Sequence, residues 1–188
     1  MAFCKSNCAT KFIKKLKTLV IHPADATTQF LAPIYEGKDW TICNNYKLTR
    51  REIKDLIYKH DRIIMMGHGD VKGLWNPDHS GYLINSQIAW YLKPKRCVYI
   101  WCNSDSFVRK HNLQGFYTGM IISEWQEAQW FALSEFTNED IEKSNELFTQ
   151  VIKNAIDSEN MYQQVKANYI SDDNAIVWFN QNNIHTTI

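Results

Sequence analysis

Hydrophobic residues occur along this chain in short runs that end at polar or turn-forming residues, and the runs follow two periods. Thr18–His22 (TLVIH), Asp61–Gly67 (DRIIMMG) and Arg96–Trp101 (RCVYIW) are nearly continuous apolar stretches of strand length. That pattern predicts strands buried on both faces. Trp40–Cys43 (WTIC) and Gly115–Ser123 (GFYTGMIIS) predict two more strands, and Asn174–Phe179 (NAIVWF) predicts a last one. Between these runs the spacing becomes helical. Asp25 is placed as the N-cap of a helix through Phe30, Leu31 and Tyr35, stopped by Gly37. Thr49 opens a T-R-R-E capping box, with Ile53, Leu56 and Ile57 on one helix face behind it.

The stretch from His68 to Ile84 is rich in Gly, Pro and Asp and predicts a hairpin-like excursion. Asn85–Lys93 predicts a short helix, Asn103–Asn112 a loop with a helical turn, and Trp125–Leu133 and Glu139–Ile156 two further helices. Strands alternating with helices imply an α/β domain around a mostly parallel sheet. In such sheets ligands bind beyond the carboxyl ends of the strands.

Composition narrows the picture. The 188 residues fit one domain, and 45% hydrophobic with 22% charged residues is globular usage. Net charge is +1, which argues against a nucleic-acid binder working by bulk electrostatics. Residues 1–17 hold five lysines and no acid, so residues 18–188 carry 16 basic and 20 acidic side chains, a net of −4. The chain therefore divides into a basic N-terminal arm, 1–17, and a single domain, 18–188. The arm offers a surface for self-association or for an acidic partner.

No apolar run reaches the ~18 residues that a membrane-spanning helix needs. Five cysteines, an odd number with no C-x-x-C, suit free thiols in a reducing, cytoplasmic setting. Cys4 and Cys8 have no second ligand pair nearby, so no metal is expected. P-loop, dinucleotide and zinc-peptidase motifs are absent, and no cofactor is implied.

Two predicted interior strands end in reactive side chains. His68 follows one and Cys102 follows the other, 34 residues apart. On neighbouring strands, both side chains would emerge at one sheet edge as a nucleophile and its base. Gly67 and Gly69 flank the histidine and permit close backbone approach.

The stretch I-I-M-M-G-H-G-D-V-K-G-L-W, then G-Y-L-I-N, then L-K-P-K-R-C-V-Y-I-W-C-N-S-D-S-F resembles the caspase-like cysteine peptidases of clan CD. The downstream T-G-M-I-I-S-E is similar to the strand after the catalytic cysteine in clostripain-like members. The resemblance covers about residues 18–125. It implies a three-layer caspase-like sandwich with a central sheet of about six strands. It also implies cleavage of a peptide or protein substrate through a thioester, with Cys102 as nucleophile and His68 as base. The backbone N–H groups of Gly69 and Cys102 would form the oxyanion hole. Asp105, Ser123 and Glu124 are the candidates for a substrate pocket, and either acid would favour a basic side chain before the scissile bond.

Trp101 precedes Cys102 and no glycine follows it closely, unlike the caspase context. This leaves open a drifted caspase-like fold that serves as a ligand sensor. A flavodoxin-like or TIR-like protein handling a nucleotide-type ligand would show a similar strand pattern. Strands that are not adjacent would make the dyad false and favour the nucleotide-type reading, whereas an unreactive Cys102 beside an intact groove would mark the sensor.

Overall fold

The computed structural model describes residues 16–78, 80–131, 133 and 136–187. Most of the basic arm, with Cys4 and Cys8, lies outside the described residues, as does His79. The strands are β1 (Thr18–Ile21), β2 (Thr41–Cys43), β3 (Arg62–Met66), β4 (Gly69–Asp70), β5 (Gly73–Trp75), β6 (Tyr82–Ile84), β7 (Arg96–Ile100), β8 (Phe116–Thr118) and β9 (Ile184–Thr186). The helices are a 3-10 helix (Gln29–Ile34), α1 (Arg50–Tyr58), α2 (Ser86–Leu92), α3 (Ser104–His111), α4 (Trp125–Trp130), α5 (Asn138–Ala155), α6 (Met161–Asn168) and α7 (Ala175–Asn182).

Six strands form the main sheet in the order β2-β1-β3-β7-β8-β9. The first five are parallel and β9 is antiparallel to β8. Strands β4, β5 and β6 make a separate antiparallel sheet inserted between β3 and β7 along the chain.

Side chains alternate across the pleat, so each central strand feeds two cores. Leu19, Ile21, Ile63, Met65, Cys97 and Tyr99 pack against Ile53 and Ile57 of α1, Ile88 and Leu92 of α2, and Phe107 and Val108 of α3. Val20, Ile64, Met66, Val98 and Ile100 face the other way. They meet Leu31 and Ile34 of the 3-10 helix, Phe148 and Ile152 of α5, Val165 of α6 and Val177 of α7. The result is a three-layer α/β sandwich. This is why β1, β3 and β7 are apolar on consecutive residues rather than on alternate ones. No helix among the described residues is long and apolar enough to cross a membrane.

Local chemistry explains the element ends. Thr49 Oγ1 accepts from Glu52 N, and Glu52 Oε2 accepts from Thr49 N at 2.7 Å, so the predicted capping box starts α1. The Asp25 prediction was displaced. Asp25 Oδ1 accepts from Thr27 N at 2.9 Å and closes a turn there, and the helix that follows is 3-10 with Pro33 inside it. Proline has no N–H to give an α-helical ladder.

The predicted last strand, Asn174–Phe179, is instead the start of α7. Asn174 Oδ1 accepts from Ile176 N and Val177 N, which caps a helix that buries Ile176, Val177 and Asn180. The closing strand is β9, a few residues further on. Residues 119–123 were expected to extend β8 but leave the sheet after Thr118.

Two glycines in the hairpin have no room for a side chain. A Cβ on Gly73 would lie 1.9 Å from Ile84 O, and one on Gly69 would lie 2.3 Å from Trp101 Cδ1. The Trp101 ring is 2% exposed, and its Nε1 donates to Asp70 O at 3.1 Å. The inserted sheet is thus clamped onto the end of β7 through the Gly69–Trp101 contact.

His22 ends β1 and is buried. Its Nδ1 lies 3.1 Å from Tyr35 Oη and its Nε2 lies 3.2 Å from Thr28 Oγ1. Burial lowers its pKa to about 4, so the ring is neutral at pH 7.

Two outcomes are expected. Gly69→Ala forces the Trp101 ring aside and destabilises the fold by about 2–3 kcal/mol, which lowers the thermal midpoint by about 4–10 °C. An unchanged midpoint in calorimetry contradicts the clamp. The His22 ring favours the neutral form in the fold, so its contribution to stability is complete above its unfolded pKa and is lost as pH falls from about 6.5 toward 4. Between pH 7 and pH 4.5, urea unfolding of wild type loses about 2 kcal/mol more than that of His22→Gln.

Candidate active site

The strands β3 and β7 pair in parallel with Met66 opposite Ile100. Gly67 N extends this ladder by donating to Ile100 O at 3.1 Å. His68 and Cys102 each follow the Met66–Ile100 pair by two residues, so both leave the same edge of the sheet. Both line one small cavity of about 30 Å³, together with Thr28, Gly67, Ile121 and Ser123. That volume holds about one or two water molecules.

After Cys102 the chain turns sharply. Asn103 is left-handed (φ 63°, ψ 28°), a conformation that asparagine tolerates better than most residues, and α3 begins at Ser104. The buried Ser104 hydroxyl donates to Thr118 O at 2.7 Å and accepts from Thr118 N at 3.0 Å. Thr118 Oγ1 donates to Trp101 O at 2.9 Å. These hydroxyls fasten the turn that carries Cys102 to the end of β8.

The far wall of the cavity is held by a residue outside the sequence motif. Asn180 of α7 receives Ile122 N at Oδ1 (2.7 Å), and its Nδ2 donates to Ile122 O at 2.8 Å. A buried amide thus replaces the strand pairing that residues 119–123 lack. With Asn174–Phe179 read as a strand, Asn180 falls in the turn after it and does not stand out as a buried residue. Its burial signal is the helical spacing Ile176–Val177–Asn180.

The surroundings of the two side chains differ. Cys102 Sγ donates to Ile121 O at 3.4 Å and lies 3.6 Å from Glu127 Oε1. Burial and the neighbouring Glu127 carboxylate push its thiol up to about 12, so it is a neutral thiol at pH 7. Glu127 is itself buried, and burial raises its pKa as well. Its other oxygen accepts from Ser123 N at 2.7 Å, Ser123 Oγ at 3.1 Å and Glu124 N at 3.1 Å. Glu127 belongs to the site although sequence reasoning passed over it. The signal was its place three residues after Glu124, at the third position of α4.

His68 Nε2 lies 2.6 Å from Thr27 Oγ1 and 3.5 Å from Glu124 Oε1. Glu124 Oε1 is buried and accepts no hydrogen bond among the described residues. Of the predicted pocket residues, Ser123 and Glu124 join the site, and Glu124 is also the N-cap residue of α4. Asp105 does not line this cavity. It sits in the first turn of α3 and pairs with Arg109 at 2.6 Å, one helical turn away. Gly69 is paired opposite Leu74 in the hairpin. Of the tryptophans, Trp101 is core, Trp75 lines a smaller recess with His68, and Trp125 and Trp130 are exposed.

No cluster of three or more His, Cys, Asp or Glu able to hold a metal occurs among the described residues. Comparison with known proteins finds no matching family model, no matching curated protein and no matching solved structure.

Glu127→Gln removes the charge beside Cys102 while keeping an oxygen acceptor for Ser123 and Glu124. At pH 7 the variant's Cys102 is expected to alkylate with iodoacetamide at least about tenfold faster, since each pKa unit changes the thiolate fraction tenfold. Mass mapping of the Cys102 peptide measures this, and an unchanged rate contradicts the role given to Glu127.

Proposed function

We propose that this chain is a caspase-like cysteine peptidase with Cys102 as nucleophile and His68 as base. The carrying observation is the parallel Met66–Ile100 register, which delivers both residues to one cavity from adjacent strands. The inserted three-stranded sheet directly after His68 and the strand-turn-helix at Cys102 support the same reading. A nucleotide-type ligand on a flavodoxin-like sheet has less support, because no glycine-rich loop follows β1 or β7, and the glycines after β3 belong to the inserted antiparallel sheet rather than to a strand-to-helix loop.

In the proposed reaction His68 accepts the thiol proton and Cys102 sulfur attacks the scissile carbonyl carbon. The C–N bond breaks, His68 returns the proton to the leaving amine, and a thioester remains. Water then attacks the thioester, giving its proton to His68, and the acid product leaves with the thiol restored. Glu124 and Glu127 give the site its negative character, which favours a basic side chain before the scissile bond.

The described conformation is a resting one within this proposal. Its cavity is too small for a peptide carbonyl and its neighbours, and its thiol is neutral. Substrate binding must part Cys102 from Ile121 and Glu127. A second reading, a drifted sensor of the same fold, is favoured by that raised thiol and by Trp101 immediately before Cys102.

Digestion of a mixed peptide library separates the two. The peptidase reading expects cleavage by wild type, enriched after Arg or Lys, and loss of at least about 1,000-fold in Cys102→Ala. Absence of cleavage by wild type and by Glu127→Gln alike, with both proteins folded, overturns it in favour of the sensor.

A further inference from the structure

The outer face of α1 and α2 gathers cations and aromatic rings that the packing of the fold does not use. The two helices lie side by side, and their aliphatic residues, Ile53, Ile57, Ile88 and Leu92, are buried toward the sheet. The large hydrophobic side chains they leave exposed are all aromatic: Tyr58 at 81%, Trp90 at 71% and Tyr91 at 37%. Arg51, Lys54 and Tyr58 stand at i, i+3 and i+7, on one stripe of α1. Lys54 Nζ lies 4.7 Å from the centroid of the Tyr91 ring, and Lys93 Nζ lies 5.0 Å from that of Trp90. Arg50, Arg51, Lys54, Tyr58 and Tyr91 line an open recess of about 460 Å³, with Asp55 as its acid.

The charge here is opposite to that of the remaining domain. Residues 46–59 and 85–96 hold 8 basic and 2 acidic side chains, which leaves 8 basic and 18 acidic ones in the rest of residues 18–188. A near-neutral chain thus carries a segregated surface. Several cations elsewhere are paired: Lys38 and Arg62 with Asp157, Arg109 with Asp105, and Lys143 with Glu139. Arg50, Arg51, Lys54 and Lys93 form no ion pair with a described acid.

We infer that this face binds single-stranded nucleic acid, with bases stacked on Tyr58, Trp90 and Tyr91 and phosphates paired with Arg50, Arg51, Lys54 and Lys93. The net charge argues only against binding by bulk electrostatics. A local cluster needs only the few phosphates within a Debye length of it. A membrane surface suits the face less well. Shallow insertion into lipid uses an outward aliphatic face, whereas the aliphatic residues of both helices point to the sheet and the surface between them is concave. The face belongs to the layer opposite the His68–Cys102 cavity, whose apolar walls Leu31 and Phe148 lie in the other core. The inference therefore stands apart from the peptidase reading.

Fluorescence anisotropy of a labelled single-stranded oligouridine of about 20 nucleotides, titrated with the full chain, tests it. Wild type is expected to bind with a Kd of about 1–100 μM near 100 mM salt. A duplex of equal length should bind at least about fivefold more weakly, because its bases are already stacked. Trp90→Ala should weaken single-strand binding about tenfold, and Trp90→Phe should stay within about threefold of wild type. Four phosphate contacts predict a slope of log affinity against log salt of about −3, and the double variant Arg51→Gln, Lys54→Gln should lower its magnitude by about 1.4. The charge-matched control Lys143→Gln, Lys153→Gln on α5 should leave affinity within about twofold of wild type. These substitutions are expected to keep the thermal midpoint within about 2 °C.

Affinity unchanged in Trp90→Ala and in the Arg51, Lys54 double variant overturns the inference and assigns binding to the lysines of the basic arm. Equal affinity for single strand and duplex overturns the stacking on which it depends. Absence of oligonucleotide binding by wild type overturns it as well. Co-sedimentation of that protein with phosphatidylcholine–phosphatidylserine vesicles, lost in Trp90→Ala, would then assign the face to a membrane.

Discussion

The register of β3 against β7 is the constraint on which the rest of this structure depends. Five consecutive pairs, Arg62–Arg96 through Met66–Ile100, run in parallel through the centre of the sheet. Both strands are covered on both faces, so a slip of one residue would exchange the contents of the two cores. Ile63 and Met65 would then meet the 3-10 helix and α5 instead of α1 and α2. The energetic requirement to keep each side chain in its own layer therefore also fixes where His68 and Cys102 emerge. The packing that stabilises the fold positions the candidate chemistry as a direct consequence.

Around that edge, the fold supplies polar groups from elements distant in sequence. Thr27 and Asp25 come from the loop after β1, Glu124 and Glu127 from the start of α4, and Asn180 from α7. Each does a different job. Thr27 contacts the His68 ring, the Asn180 amide satisfies a backbone segment that has left the sheet, and burial together with Glu127 keeps Cys102 protonated. Negative charge beside a buried thiol opposes thiolate formation.

The two cores show how far burial and polarity were legible along the chain. The runs IIMM and CVYI announced doubly covered strands, and the T-R-R-E box announced the start of α1, because both signals are local. The run NAIVWF misled because a short apolar stretch fits a buried strand and a buried helix equally well. The Asn174 cap and the sheet position taken by β9 decided in favour of a helix. In the same way GFYTGMIIS reads as one strand, but Ile122 satisfies its backbone on an asparagine side chain rather than on a neighbouring strand.

By itself the sequence determined the α/β class, the interior strands, and the presence of a histidine and a cysteine at two strand ends. Those features depend on periodicity and on nearest neighbours, which a single chain displays directly. Tertiary structure alone decided that the two strands are adjacent, that Asp105 turns to Arg109 rather than to the cavity, that Glu127 lies beside Cys102, and that Thr27 lies beside His68. A hydrogen bond or a charge interaction depends on distance through space. Residues 41 positions apart acquire that distance only when the sheet that separates and joins them has formed.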